Sequence, residues 1–278
     1  MPTGTVAAHR LTLTAPEWSV LCALTQTPQP PGFDTGEDDV DPALRQEATD
    51  ALSDRGVLVD GERQPAPPVA ANLAILTGGP IVVDIAVSVR RRGLRARYAL
   101  QGPLGASVLT LPDEAVELSM FPAASIGWEL IRAVPDPTEL ARASDPIRLA
   151  LAGAGAPPSG RIPLEVLAEY GPACRVAGSD GAAATTDRWQ LTDAQRRLAA
   201  RLDSEVTGVL RAVVTGRARG SAAVAQVIWL AAVSGWLATR PVTAADGTRE
   251  VVITPAERTG FAAAVAPYLA QLIGDDND

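Results

Sequence analysis

The sequence predicts an α+β fold with pseudo-twofold duplicated architecture, in which a central antiparallel β-sheet is flanked by helical bundles. Three observations carry that prediction. Hydroxyl-capped helix starts occur in both halves, a series of short strands joined by tight turns begins after Pro80, and a Pro-Ala-x-x-x-Gly-aromatic segment appears twice at a fixed spacing.

From the N-terminus, Leu11-Thr-Leu13 alternates as a short strand. Thr14-Ala-Pro-Glu17 is a capping box, in which hydroxyl and carboxylate satisfy the free amides of a helix start, and the helix runs to about Leu24. The Pro- and Gly-rich stretch Pro28 to Gly36 is a loop. Asp41 then caps, and Pro42 opens, a helix with Leu44, Ala48 and Leu52 on one face and Gly56 at its end. Val57-Leu-Val59 with Asp60-Gly61 reads as a short strand and turn, and Pro67 to Leu76 as a further helix. From Pro80 the pattern becomes β, with strands over Ile81 to Val89, Arg95 to Leu100, Val108 to Leu111 and Val116 to Met120, and turn residues at Gly93, Gly102 and Asp113. Connections this short give an antiparallel meander. A helix over Pro122 to Ala133 closes the half.

The second half repeats this grammar. Thr192-Asp-Ala-Gln195 is again a capping box, and the spacing of Leu198, Leu202, Val206, Leu210 and Val213 predicts one long helix over 193–215 with Gly216 at its end. Strands follow over Val224 to Ala231, Trp236 to Thr239 and Val251 to Ile253. Thr254-Pro255-Ala-Glu257 combines a hydroxyl cap, a first-turn proline and a third-position glutamate, and predicts the last helix.

The repeat itself is a register. Pro122-Ala-Ala-Ser-Ile-Gly127-Trp128 and Pro255-Ala-Glu-Arg-Thr-Gly260-Phe261 match at an offset of 133 residues (255 − 122), and Gly102 and Gly235 share it. The expected organisation is an N-terminal α+β half over 1–134, a linker over 135–160 with one helical turn around Leu140, and a C-terminal α+β half over 161–278. The two halves form one compact unit, each burying the other's apolar faces.

Composition removes several chemistries. The 24 basic residues are all arginine, so a phosphate-loop lysine, a Schiff base and a kinase-type ion pair are excluded. The one histidine, His9, lies near the N-terminus, where a Ser-His-Asp or Cys-His arrangement has nothing else to rest on. Cys22 and Cys174 lack metal-ligand spacing and read as separate buried thiols. Gly153-Ala-Gly155 runs into prolines that forbid the helix of a dinucleotide loop, and the acidic run from Asp34 to Asp41 lacks the alternate ligands of a calcium loop. No catalytic, metal or cofactor site is expected, and the chain reads as a non-enzyme. No membrane-length apolar run and no secretory signal stand out, which gives a cytoplasmic protein as the expectation. A formal charge of −8 opposes nucleic-acid binding.

One segment departs from the acidic background. Arg90-Arg-Arg92-Gly93-Leu94-Arg95-Ala-Arg97, with Arg91 between the first two, places five arginines across an expected hairpin turn with Leu94 near its tip. Such a segment serves either as a solvated loop guarding a sheet edge or as a protein-recognition loop, since arginine makes planar, bidentate contacts. A second candidate surface is the helical stripe carrying Leu198, Leu202 and Val206, which suits a core or a partner helix.

The order of elements resembles the EspG family of chaperones associated with type VII (ESX) secretion in actinobacteria. The resemblance lies in Leu11 to Leu24, in the Asp41 to Gly56 helix closing on Arg55-Gly-Val-Leu, in the meander from Ile81, and in Val-Ile-Trp229, Ser234-Gly235-Trp236 and Val251-Val-Ile-Thr-Pro255. It implies a cytosolic, non-enzymatic chaperone that keeps helical-hairpin substrates, PE–PPE-like or WXG-like, soluble and export-competent. The implied grip is by Arg90 to Arg97 and the helix from Leu198, with release when the export machinery, including its secretion ATPase, competes. The residues themselves leave the oligomeric state open. They also permit a winged-helix DNA-binding regulator, because the helix carrying Leu44 and Leu52 is followed by a short strand and turn.

Overall fold

The computed structural model describes residues 9–33, 41–59, 64–89, 92–111, 113–136, 139, 156–218 and 221–274. Outside them lie Arg90 and Arg91, the acidic run from Asp34 to Val40, the Asp60-Gly61 turn, and most of the linker with the turn expected around Leu140.

The first half opens with β1 (His9–Leu13) and α1 (Ala15–Thr25). Both arms of the capping box form: Glu17 N donates to Thr14 Oγ1 at 3.3 Å and Thr14 N to the Glu17 carboxylate at 2.7 Å. Asp41 accepts from Ala43 N at 2.9 Å and starts α2 (Pro42–Asp54), which buries Ala48 and Leu52 while Leu44 stays exposed. A two-stranded ribbon, β2 (Leu58–Val59) and β3 (Gln64–Pro65), precedes α3 (Pro67–Gly78). The meander then runs through β4 (Ile81–Val89), β5 (Arg92–Gln101), β6 (Leu104–Thr110) and β7 (Val116–Pro122) into α4 (Ile126–Arg132).

The second half contains β8 (Gly160–Pro163), α5 (Leu164–Arg188), α6 (Asp193–Glu205), β9 (Val206–Ala218), β10 (Ser221–Ala232), β11 (Gly235–Thr243), β12 (Arg249–Ala256) and α7 (Gly260–Gly274).

Ten strands form one sheet in the order β1-β7-β6-β5-β4-β9-β10-β11-β12-β8, every pairing antiparallel. The order reads the same from either edge, with β4 and β9 meeting at the centre and β1 matching β8. The 133 offset survives in the ladders: Leu104 faces Pro122 as Leu237 faces Pro255. It does not govern the turns. Gly102 (φ 56) lies in the β5–β6 turn, whereas Gly235 (φ 122) is already paired with Ala232, beyond a turn at Val233-Ser234. The β10–β11 hairpin therefore extends two residue pairs further, Ala231 with Trp236 and Ala232 with Gly235, than the simple repeat predicts.

Alternation along the strands assigns the two faces. On one, a single cluster including Ile85, Tyr98, Leu210, Trp229 and Phe261 spans the centre of the sheet, with Leu130 of α4 and Leu269 of α7 packed into it. On the other face the cover divides. Trp18, Leu52 and Leu76 from α1 to α3 pack over β5, β6, β7 and β1, and Val166, Leu198 and Leu202 from α5 and α6 pack over β10, β11, β12 and β8.

Several expectations are corrected. The long helix over 193–215 ends at Glu205, and Val206 to Ala218 is the central strand β9. The residues favour this: Val206, Thr207, Val209, Val213, Val214 and Thr215 are β-branched and pack better on a pleated surface than on a helix. Thr254 and Pro255 do not cap a helix but end β12, which the helix follows at Gly260; likewise Pro122 ends β7. Gly93 is no turn residue, since it pairs with Ser88 inside the β4–β5 ladder. The reading of the sequence missed α5, whose Gly171-Pro172 and Gly178 resemble loop chemistry. Gly178 (φ 57, ψ −133) in fact folds it into two arms.

Candidate functional site

Among the described residues, no helix covers the middle strands of the face that the helices divide. β4 shows the asymmetry: Ile81, Val83, Ile85, Val87 and Val89 are buried, and the alternating Val82, Asp84 and Ala86 are only half-buried, with Ser88 exposed. Directly opposed residues in a ladder point to the same face, so the pairings lay out the site as rows. Arg95, Ala86, Arg211 and Ile228 form one row; Arg97, Asp84, Val213 and Gln226 form the next; Gly93, Ser88, Val209 and Leu230 flank the first on its other side.

This geometry is a shallow floor of Gly93, Ser88 and Ala86 between two arginine posts, with an apolar margin. Arg95 and Arg211 stand on strands two apart, about 10 Å between backbones. Both are exposed, and the Arg95 side chain lies beside Gly32, where an added Cβ would meet Arg95 Nε at 3.1 Å. Thr110 fixes the Arg95 backbone, accepting from its N at 2.8 Å. Val209 is 37% exposed and Val224, further along β10, is 72% exposed.

Among the described residues, the charge on this face is unbalanced. Arg95, Arg97, Arg211 and Arg217 share it with one acid of the central strands, Asp84. Arg97 Nη1 is 3.3 Å from Asp84 Oδ1 and 3.5 Å from Oδ2, while Arg97 Nε is buried with no acceptor. Burial raises the Asp84 carboxyl above the usual aspartate value, and the Arg97 charge only partly opposes this. Among the described residues, Arg95, Arg211 and Arg217 pair with no carboxylate.

The residues singled out in the sequence separate. Arg90 and Arg91 lie outside the described residues, and Arg92 begins β5 opposite Val89. Gly93, Arg95 and Arg97 lie on the uncovered face. Leu94 does not join them, because it alternates to the opposite face and packs against the central core. Leu198 and Leu202 are each 6% exposed and lie in the core between α6 and β8, so they are not presented as a stripe. Val206, expected on that helix, is the first residue of β9 and half-buried. Reading β9 as helix hid Arg211 and Val209. A period of two from Val206 onward was the signal, since it sets Val209, Arg211 and Val213 on one face.

The two arms of α5 enclose a cleft of about 320 Å³ lined by Ala173, Val176, Gly181 and Ala184, and Glu169 ties the arms by accepting from Trp189 Nε1 at 3.0 Å. Among the described residues no group of three His, Cys, Asp or Glu is placed to hold a metal, and no helix is long and apolar enough to cross a membrane.

No protein-family model matches the chain, and no curated protein matches it in sequence. Among solved structures, the Mycobacterium tuberculosis type VII secretion system chaperone EspG5, in complex with the PE25–PPE41 dimer, is similar over 95% of this chain and 97% of that one, with a TM-score of 0.57 and 14% identity. The fold is that of EspG5. At this identity the likeness to EspG5 is one of architecture, with a large antiparallel sheet and accompanying helices as the sequence led us to expect.

Proposed function

We propose that the chain is a cytosolic chaperone for helical-hairpin substrates of type VII secretion, PE–PPE-like or WXG-like, which it keeps soluble and competent for export. One observation supports the reading most: on a fold shared with EspG5, described in complex with a PE25–PPE41 dimer, the central strands of this chain leave a floor of small residues open between two helical lobes. A helix tip needs such a floor, because its end presents both apolar side chains and unpaired backbone groups. The mechanism is passive. Covering the exposed tip lowers aggregation by mass action, and export machinery such as a secretion ATPase releases the client by competing for it. No cofactor takes part, and neither does a catalytic step.

The winged-helix alternative gains nothing from α2, whose exposed positions include Glu47, Asp50 and Asp54 beside Arg45. The experiment is co-expression of the tagged chain with the small helical proteins encoded beside its gene. Retention of such a partner as a soluble complex, with the partner insoluble when expressed alone, is the expected result. Partners that stay soluble alone and are not retained would overturn the proposal.

A further inference from the structure

We propose that the client is selected by carboxylates: the segment seated on the central strands carries Asp or Glu beside its apolar residues, and Arg95 and Arg211 receive them from either side of Ala86. The inference rests on the chaperone reading and deepens it by stating the chemistry of the bound tip.

The whole chain has a formal charge of −8, yet among the described residues the middle strands of the face that the helices divide set four arginines against Asp84. An arginine on a strand is stabilised by an acid directly across the ladder. Here the residue across from both Arg95 and Arg211 is Ala86, which can answer neither. The Arg97–Asp84 pair does not fill the gap, because its contacts are long and Arg97 Nε is buried with no acceptor. Elsewhere many of the described arginines hold a carboxylate: Arg10 and Arg132 hold Glu117 and Glu129, Arg55 holds Glu17, and Arg249 holds Glu165, while Arg45, Arg197 and Arg240 stand singly on other exposed surfaces rather than clustered on one.

The spacing suits a helix end. The two posts are about 10 Å apart, close to the diameter of a helix with its side chains. A tip lying over Ala86 and Ser88 thus brings residues on its two flanks to opposite arginines, while its apolar residues meet Val209 and Ile228. Guanidinium and carboxylate then form bidentate contacts partly shielded from water. Charge selection of this kind excludes tips bearing arginine or lysine, which would meet four like charges.

Three synthetic helical hairpins test this. They share the same helices and apolar tip residues and differ at two flanking tip positions, which are Glu, Gln or Arg. The Glu hairpin is expected to bind at least about 10-fold tighter than the Gln hairpin in about 50 mM NaCl, the advantage shrinking to about 2-fold in about 500 mM as the charges are screened. Arg211→Gln, at an exposed position, removes most of that advantage and leaves the thermal midpoint unchanged. Equal binding of Glu and Gln hairpins overturns the inference and leaves the chaperone reading standing, as does retention of the co-expressed partner undiminished by Arg211→Gln. A DNA duplex that displaces the Glu hairpin with the same Arg211 dependence assigns the face to nucleic acid and overturns it. Binding of no hairpin together with retention of no partner removes the chaperone reading as well.

Discussion

Arg10 Nη1 lies 3.1 Å from Glu117 Oε1, and the second half of the chain repeats that pair as Arg161 and Glu250, 4.0 Å apart. The ladders establish the equivalence: Arg10 faces Ser119 as Arg161 faces Val252, and both Ser119 to Val252 and Glu117 to Glu250 keep the 133 offset (252 − 119, 250 − 117). The environments then diverge. In the first half α4 adds Glu129 and Arg132 and closes a four-charge network; at the same offset α7 supplies Ala262 and Val265, and the Arg161 side chain stays 64% exposed.

The two pairs should therefore differ in worth. Arg132→Ala leaves the buried Glu117 and Glu129 with Arg10 alone and is expected to cost about 2–3 kcal/mol, because an under-compensated buried carboxylate is expensive. Glu250→Ala, which breaks the long 4.0 Å contact to the exposed Arg161, is expected to cost at most about 0.5 kcal/mol. Urea denaturation of both variants at neutral pH makes the comparison, and equal costs would contradict it.

The centre of the sheet should be intolerant of a single methyl group. A Cβ added at Gly208 would lie 2.3 Å from Ser88 O and 2.7 Å from Val89 Cα, so the clash is with strand backbone. Gly208→Ala is expected to cost about 3 kcal/mol or more. Gly93→Ala, whose nearest contact would be Val87 O at 3.9 Å, should be tolerated to within about 1 kcal/mol. Thermal unfolding of the two variants distinguishes them.

Much of this architecture was legible before any coordinates. The capping boxes at Thr14 and Thr192 announced their helices through local chemistry, and the meander announced itself through turn spacing. The seam did not. Leu198, Leu202, Val206 and Leu210 recur every four residues, so a helical period ran across a boundary that only the β-branched run after Val206 betrays. Half of the candidate site followed that error, because Arg211 reaches the face of Arg95 only through the β4–β9 pairing, a contact between residues 125 apart (211 − 86) that no local pattern encodes. The split of Leu94 from its neighbouring arginines was readable in principle. In a strand adjacent residues point to opposite faces, whereas at a hairpin tip they can share one.

Asp84 gives a pH signature. Its folded carboxyl titrates above the unfolded value, so folding takes up a proton, and the stability present at pH below the unfolded value is lost as pH rises through the folded one. Asp84→Asn should match the native chain in acid and become the more stable of the two, by up to about 0.5 kcal/mol, as pH rises past 3.8 toward neutrality. Urea midpoints from acid to neutral pH measure it; a variant that loses stability relative to the native chain on that rise would show that the Arg97 contact dominates instead.

The central claim is that the uncovered face of β4, β5, β9 and β10 is where the client sits. A photo-crosslinking amino acid placed at Val209 on that face, or at Trp128 on α4 beyond the opposite face, tests it with the retained co-expressed partner, both side chains being solvent-exposed at 37% and 71%. The account predicts adducts from position 209 and none from 128. Adducts from 128 alone would place the client on the other side of the molecule and contradict it.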